Sequence, residues 1–415
     1  MTQMKRWDFA QMSAIGHALF VKIHKQKRFA NPNHDIHFMA REQNQWLVQG
    51  VHAMMDSSYT PRFLKRYYFK DEMIDQLHVS DRIFQHILLK QLKPTFPYVM
   101  HRHCYHLQGP SGVRVATQHI RQVLKESKPQ YVIRADIKSF YKSIPHHQLI
   151  LDINTLYDDP KVQAMLREII TNPIETPRGY KNADHGIALR GPLSQFFSGI
   201  YLKPLDEAFD GMNVTYLRYQ DDILILCQTL RQLERCKQRM NDILQERQLS
   251  LSGKKTRIGH IDKGFHFLGI HYPGTQTPDN ITVTQANNKP VNSCGSAHYL
   301  PSLGGKTTEQ LLPEPSCIVP HPRTLRKARE QVKQMVIDGV SPRRISSYLY
   351  RWSTWWVRTS EHWDYQELLG WFINACWEPN PAADFAAGLL HQAKKSHIGA
   401  RDLLRGFEPD FAAAL

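Results

Sequence analysis

The sequence LRYQDDILIL spans Leu217–Leu226. Two adjacent carboxylates, Asp221 and Asp222, precede the apolar run Ile223–Leu226, whose composition predicts a buried β-strand. A pair of neighbouring aspartates is more often a solvated turn than a functional site. Here the strand would place both carboxylates at the rim of a packed sheet, where they need a counter-charge. The stretch therefore predicts a hairpin whose turn binds a cation.

A third carboxylate is expected because a hard divalent ion takes several oxygen ligands, usually from more than one segment. The segment Tyr131–Asp136 (YVIRAD) reads as a strand that ends in a carboxylate and is followed by the aromatic pair Phe140 and Tyr141. Asp136 is thus the candidate third ligand. The alternative is that Asp136 caps a following helix, which residues 139–147 partly permit.

Ordered motifs along the chain resemble those of reverse transcriptases. The first three palm motifs of that family are similar to Asp136–Tyr141 (DIKSFY), to Gly191–Gln195 (GPLSQ) with Ile200–Asp206 (IYLKPLD), and to Tyr219–Asp222 (YQDD). The lysine-bearing fourth motif and the primer-gripping fifth motif resemble Leu251–Thr256 (LSGKKT) and Phe265–Gly269 (FHFLG). The resemblance covers about residues 60–360.

The resemblance implies an α+β fold of the right-hand polymerase type, with fingers, a palm built on an antiparallel sheet, and a helical thumb. We expect an N-terminal helical extension at 1–60, fingers at 61–130, and a palm at 131–272 whose residues 158–190 return to the fingers. A Pro/Gly-rich connector at 273–322 would precede a thumb and tail at 323–415. The palm strands are expected at 131–136, 214–219 and 223–227, and its helices at 191–209 and 229–247.

The resemblance also implies roles for the residues of the hairpin. Asp136 and Asp221 would hold two Mg²⁺ ions, with the Ile137 carbonyl as a further ligand and Asp222 as a weaker one. Lys255 would donate a proton to pyrophosphate or pair with its charge. The alternative for Lys255 is an ordinary surface lysine.

Tyr141 stands where the family keeps an aromatic ring under the sugar of the incoming nucleotide, so it would exclude a 2′-hydroxyl and favour dNTPs. Further nucleotide-binding candidates are Phe140, Arg190, Gly191, Gln195, Arg66 and Arg82. Candidates for primer and template contact are Tyr219, Phe267, Leu268, Gly269, Arg326, Lys327 and Arg351. For the basic residues of the fingers, a solvated surface is the alternative.

Composition indicates a polyanionic partner, because 53 basic residues face 38 acidic ones and the net charge is +15. Nucleic acid fits better than a membrane surface, since the chain has no apolar run of eighteen residues and no signal-peptide core at its N-terminus. We therefore expect a cytoplasmic protein without membrane contact. The six cysteines lack metal-site spacing, as is typical of reduced thiols.

Two amphipathic helices are predicted at 323–340 and 343–360, and their polar faces are mostly basic, which suits a phosphate backbone. Trp352 and its neighbours Trp355 and Trp356 could stack on bases, but their spacing also fits a packed core. A last cluster, His101–His106 (HRHCYH), offers three imidazoles and a thiol. As a strand it would split these groups between two faces, which argues against a local zinc site.

The second motif departs from the common family pattern, because Arg190 stands where a glutamine is usual and Gln195 where a proline is usual. This departure, the compact size and the stretch Tyr348–Trp355 (YLYRWSTW) are similar to the unclassified, defence-associated bacterial reverse transcriptases, with type 2 as the candidate subgroup. The resemblance implies an anti-phage role, a dedicated noncoding RNA as template, and a cDNA product. The alternatives are a palm nucleotidyltransferase that makes RNA or works without a template, and an RNA-binding splicing helper with a vestigial site.

Overall fold

The computed structural model describes residues 7–69, 72–107, 112–188, 191–274, 319–341, 344–345 and 347–352. The chain divides into two compact units, residues 1–259 and 260–415. Most of the expected connector, the tail after residue 352, Trp355 and Trp356 lie outside the described residues. Among the helices that the structure describes, none is both long and apolar enough to cross a membrane.

The first unit contains helices and two four-stranded sheets. Its helices are α1 (Phe9–Lys27), α2 (Asp35–Arg41), α3 (Gln43–Asp56), α4 (Val79–Leu92), α5 (Phe96–Val99), α6 (Gly112–Glu126), α7 (Phe140–Ser143), α8 (His146–Leu156), α9 (Pro160–Ile170), α10 (Ser194–Tyr201), α11 (Lys203–Ala208) and α12 (Leu230–Glu246). Its strands are β1 (Leu64–Phe69), β2 (Glu72–Gln76), β3 (Tyr131–Asp136), β4 (Ile174–Thr176), β5 (Gly179–Lys181), β6 (Thr215–Tyr219), β7 (Asp222–Cys227) and β8 (Arg257–His260).

The sheet that carries Asp221 and Asp222, the DD motif, at the β6–β7 hairpin has the strand order β6-β7-β3-β8. β7 pairs antiparallel with both β3 and β6. The apolar run after Asp222 is buried along its whole length, and α12 packs on β3 and β7. A strand covered on both faces needs such a continuous apolar sequence. The three strands predicted for this region are therefore confirmed, each to within one residue.

The helices beside this sheet follow local signals in the sequence. α12 begins at Thr229, which forms a capping box with Gln232. The single helix predicted at 191–209 is wrong, because two helices, α10 and α11, occupy this region. Pro204 lies in the first turn of α11, and its missing N–H cannot continue a preceding helix. The chain accordingly breaks at Leu202 and starts again.

The second sheet of this unit has the order β2-β1-β4-β5. β1 pairs antiparallel with β2 and parallel with β4. Part of residues 158–190 thus lies beside β1. The N-terminal helices α1, α2 and α3 add their apolar side chains to the same core as α4, with Met12, Val51 and Ile83 fully buried.

The second unit contains β9 (Phe265–Phe267), β10 (Ile270–Tyr272), β11 (Val319–Pro320) and α13 (Pro322–Ile337). The three strands form an antiparallel sheet in the order β11-β10-β9. Ala328 and Val332 of α13 form a small core with Ile345 and Leu349, and Trp352 packs against it. α13 confirms the first predicted amphipathic helix, and Trp352 takes the packed position that its spacing allows.

Candidate active site

The DD motif lies on a tight hairpin between β6 and β7. Tyr219 and Asp222 form the last pair of the ladder, so Gln220 and Asp221 make a two-residue turn. The φ angle of Gln220 is +58°, a left-handed value that costs a residue with a Cβ about 1–2 kcal/mol. The turn puts Asp221 at the tip and Asp222 at the start of β7, which confirms the predicted hairpin.

Asp136 is brought to the same edge of the sheet by β3. It pairs directly with Asp222 across the antiparallel β3–β7 ladder, and residues in such a pair project to the same face. The next helix, α7, begins after Ser139, so the helix-cap alternative for Asp136 is wrong. Asp136 is buried, with only 5 % of its surface exposed to solvent.

Backbone hydrogen bonds join the three segments that carry the candidate residues. Ile137 donates its N–H to the carbonyl of Asp221 at 3.2 Å. On the other side, Ser252 donates to the Asp136 carbonyl at 2.7 Å, and Lys138 donates to the Ser250 carbonyl at 2.8 Å. The chain that leads to Lys255 is thereby fixed beside β3.

Two basic side chains face the carboxylates. Lys255 Nζ donates to Asp136 Oδ2 at 2.9 Å, which favours a role at this site over an ordinary surface lysine. Arg134 Nη2 lies 3.8 Å from Asp222 Oδ1. Arg134 was not among the sequence candidates, although residues two apart in a strand share a face, and this spacing from Asp136 was the available signal.

The carboxylates perturb one another. Burial, and then the neighbouring Asp221, raises the pKa of Asp222 to about 6. Burial also raises the pKa of Asp221, and the Asp136 carboxylate adds to this rise. The hydrogen bond to Asp136 raises the pKa of Lys255, which keeps its ammonium charged. Burial and the neighbouring carboxylates therefore raise the pKa values of Asp221 and Asp222 despite the two cations nearby.

The donor set fits a hard divalent cation, although within the described ranges no three His, Cys, Asp or Glu side chains converge as a ready metal cluster. Lys255 occupies one oxygen of Asp136, and this lysine side chain is 60 % exposed and so has room to leave. Three carboxylates on adjoining segments, two of them with raised pKa values, are the ligands that Mg²⁺ prefers. Asp136, Asp221 and Asp222, with the Ile137 carbonyl, are the residues that could hold it.

Tyr141 lies next to this site. Burial, and then the Asp221 carboxylate, raises the pKa of the Tyr141 hydroxyl to about 12. Phe140 is buried in the core, and its ring centroid lies 5.3 Å from that of Tyr141. Phe140 thus packs beside the Tyr141 ring, and direct contact of Phe140 with a nucleotide stays a prediction.

The other nucleotide-binding candidates are spread over two regions. Arg66 and Gly191 both line a cavity of about 260 Å³, where Arg66 forms a two-pronged ion pair with Asp75 at 2.7 and 2.9 Å. Arg82 is exposed on α4 and is not among the residues that line the cavity. Arg190 lies outside the described residues.

The primer and template candidates lie partly in the second unit. Phe267 is buried in β9, and Leu268 and Gly269, with φ angles of +50° and +81°, turn the chain into β10. The remaining basic candidates are exposed on the surface of this unit: Arg326, Lys327 and Arg351. Their contacts with nucleic acid stay predictions.

A buried polar network behind the turn was missed by sequence reasoning. Arg218 is fully buried, and its Nε donates to Asp206 Oδ1 at 2.7 Å. Its Nη1 donates to the Gln220 carbonyl at 3.1 Å. An arginine within a buried strand requires a buried partner, and this was the signal in the sequence that could have pointed to such a network.

The histidine-rich segment is not the strand that we expected, because it consists of turns and a short 3₁₀ helix. Local hydrogen bonds and the approach to β6 replace strand pairing there. His101 and His103 each lie 3.5 Å from a carboxylate oxygen of Asp210. Cys104 and His106 instead face the network behind the turn.

Comparison with known proteins shows one family match and several similar proteins. Residues 72–272 match the family model described as "Reverse transcriptase (RNA-dependent DNA polymerase)". "Protein YkfC" of Escherichia coli (strain K12) is 23% identical over 229 residues, which cover 46% of this chain and 60% of that protein. The chain thus spans less than two thirds of the curated relative that it matches.

Solved structures of telomerase are also similar. A telomerase from Candida albicans in complex with a fragment of telomeric RNA gives a TM-score of 0.42 at 14% identity, over 74% of this chain and 56% of that one. The corresponding complex from Candida tropicalis gives 0.44 at 13% identity, over 84% and 64%. The family match encloses Asp136, Asp221, Asp222 and Lys255. Residues 72–272 are therefore similar to the reverse transcriptase family, and the chain has the α+β fold of the right-hand polymerases.

Proposed function

We propose that this protein is an RNA-directed DNA polymerase that adds dNTPs to a primer 3′-hydroxyl on an RNA template. The observation that carries the proposal is the assembly of Asp136, Asp221 and Asp222 at one sheet edge, inside the segment that matches the reverse transcriptase family. Lys255, in contact with Asp136, adds the cation that a triphosphate substrate requires near its leaving group.

The carboxylates would do little covalent chemistry themselves. Two bound Mg²⁺ ions would lower the pKa of the primer hydroxyl and neutralise charge on the triphosphate and the pyrophosphate. Asp136 and Asp221 would hold and space these charges, while Asp222 stays partly compensated by Arg134. Lys255 stays protonated because its pKa is raised, so it can turn from Asp136 to pair with pyrophosphate or give it a proton.

Tyr141 would select the sugar. The Asp221 carboxylate acts on its hydroxyl, and the buried Phe140 ring lies 5.3 Å from its own. A ring held under the sugar would collide with a 2′-hydroxyl but accept a deoxyribose. The preferred substrates are therefore dNTPs.

The template is proposed to be a dedicated noncoding RNA, and the biological role to be anti-phage defence in the bacterial cytoplasm. Support comes from the atypical second motif, the Tyr348–Trp355 stretch and the net charge of +15. The basic, exposed face of α13 suits a phosphate backbone.

The proposal is tested by purifying the full chain, sequencing the RNA that copurifies, and supplying labelled dNTPs with Mg²⁺. We expect one enriched RNA species and cDNA complementary to it, and no product from the double variant Asp221→Ala, Asp222→Ala. Incorporation by that variant would reject the assigned site. Random cellular RNA would reject the dedicated template alone, and incorporation of rNTPs or untemplated product would favour the other nucleotidyltransferase activities.

A further inference from the structure

The turn that carries Asp221 adopts a conformation that its own sequence does not favour. Gln220 has a φ angle of +58°, which glycine adopts readily and glutamine does not. Both backbone polar groups of Gln220 are held by side chains from outside the turn. Its N–H donates to His106 Nδ1 at 3.1 Å, and its carbonyl accepts from Arg218 Nη1 at 3.1 Å.

His106 is arranged to accept this hydrogen bond. Its Nε2 lies 3.1 Å from the carbonyl oxygen of Gln195, and a carbonyl can only accept, so Nε2 carries the hydrogen. Nδ1 then carries the lone pair that accepts the Gln220 N–H, and Cys104 Sγ lies 3.4 Å from the same atom. Burial, and then the Arg218 charge, lowers the pKa of His106 to about 3, which keeps the imidazole neutral. His106 thereby connects α10, which contains Gln195, to the turn.

Arg218 is oriented by the groups that surround it. Its Nε and Nη2 bind the two oxygens of Asp206, which also accepts the Tyr216 hydroxyl at 2.7 Å. Nη2 further contacts Cys104 Sγ at 3.3 Å. With the guanidinium plane fixed in this way, only Nη1 points to the Gln220 carbonyl. The backbone N–H of Arg218 donates to the His103 carbonyl at 3.0 Å and ties β6 to the segment that contains His106.

We propose that His106 and Arg218 are positioning residues that clamp the Gln220 peptide from both sides and so fix the place of Asp221 at the tip of the turn. This inference rests on the proposed polymerase function. Without the clamp the turn would relax toward an unstrained conformation, and Asp221 would move relative to Asp136. The consequence is weaker metal binding and a lower kcat, while the KM for dNTPs changes little because neither residue touches the nucleotide.

The test uses His106→Leu, which removes the acceptor, and His106→Asn, whose Oδ1 stands close to the place of Nδ1 and restores it. His119→Leu is the matched control, because His119 lies on α6 and contacts the Tyr105 hydroxyl, not the Gln220 peptide. Binding of Tb³⁺ to the purified full chain is followed by luminescence without nucleotide, and kcat and KM for dTTP are measured separately.

We expect His106→Leu to weaken Tb³⁺ binding and lower kcat by about three- to tenfold, as the loss of one hydrogen bond implies. His106→Asn should recover most of both, and His119→Leu should change neither. Equal behaviour of His106→Leu and wild type, or equal losses in His106→Asn and His106→Leu, would overturn the proposal.

A second measurement needs no substitution. Hydrogen exchange of the Gln220 amide in the wild-type protein should be protected, and exchange at the rate of an open turn would contradict the clamp. Asp221→Asn distinguishes failure of the clamp from failure of the proposed metal site. If it abolishes Tb³⁺ binding while His106→Leu has no effect, only the clamp fails. If it binds Tb³⁺ as wild type does, the metal site of the proposed function fails, and the clamp fails with it.

Discussion

Asp136 lies directly opposite Asp222 in the antiparallel pair of β3 and β7, and Lys255 Nζ contacts Asp136 at 2.9 Å. Two carboxylates in cross-strand register repel each other unless a cation lies between or beside them. Under the proposed function, Lys255 and the metal ions would be alternative partners of the same oxygen atoms.

Replacing Lys255 by Met should lower the rate of dNTP incorporation by about 10²-fold, since a general acid typically contributes that much or more. The KM for the primer–template should change little. Lys254→Met is the matched control, because Lys254 is exposed and adjacent in sequence. Single-turnover primer extension measures both. A loss in Lys254→Met as large as in Lys255→Met would remove the special role of Lys255.

The pH dependence of the free energy of unfolding, measured in EDTA, should report the protonation of the Asp222 carboxylate. Its pKa rises from 3.8 to about 6 on folding, so the folded chain binds this proton more tightly than the unfolded chain does. The stabilisation from this proton is present below about pH 4 and is lost as the pH rises to about 6. Asp222→Asn should therefore be about 1–3 kcal/mol more stable than wild type at pH 7 and equal to it near pH 4.

Urea unfolding of both proteins from pH 4 to pH 7 measures this difference. A constant difference across that range would contradict the raised pKa of Asp222. Asp158→Asn, which changes an exposed aspartate, provides the comparison for a plain loss of surface charge.

Tyr141→Ala should admit ribonucleotides, because the side chain that would collide with the 2′-hydroxyl is gone. We expect the ratio of kcat/KM for dTTP over UTP to fall by at least about tenfold, the size of a modest steric selection. Tyr141→Phe keeps the ring and should discriminate as wild type does. If Tyr141→Ala still excludes UTP as strictly, the ring does not select the sugar.

The buried Arg218–Asp206 pair should dominate local stability. Both side chains are fully buried, so Asp206→Asn leaves an uncompensated guanidinium and should cost about 3–5 kcal/mol in the free energy of unfolding. The double variant Asp206→Asn, Arg218→Met removes both charges and should cost less than the sum of the two single variants. Denaturant unfolding of Asp206→Asn, Arg218→Met and the double variant measures these costs. Additive losses would show that the two charges do not interact.

The apolar periodicity of the sequence was sufficient to locate the strands around the carboxylates. β3 begins and ends where YVIRAD predicts it, and β7 follows the ILIL run. One helix was predicted at 191–209 because the apolar spacing continues across Leu202. The structure has two helices there, and Pro204 causes the break between them. The spacing of apolar residues gives no sign that the backbone N–H of Pro204 is missing.

The side-chain partners of the site were less accessible from the sequence. Arg134, Arg218 and His106 gain their roles from contacts between segments that are far apart in the chain, such as the Gln220 N–H and His106. No local pattern encodes a contact of that kind. The family resemblance predicted which residues would face the substrate. It did not predict Arg218 and His106, which hold the turn.

Asp136, together with Asp221 and Asp222 at the hairpin turn, would form the centre of RNA-directed DNA synthesis. Single-turnover extension of a DNA primer on an RNA template with Mg²⁺, comparing wild type, Asp136→Asn and Asp158→Asn, tests this role. We predict that Asp136→Asn lowers the rate by about 10³-fold or more, as expected for the loss of an electrostatic contact to the reacting centre. Asp158→Asn should extend the primer as wild type does. Extension by Asp136→Asn at the wild-type rate would contradict the account.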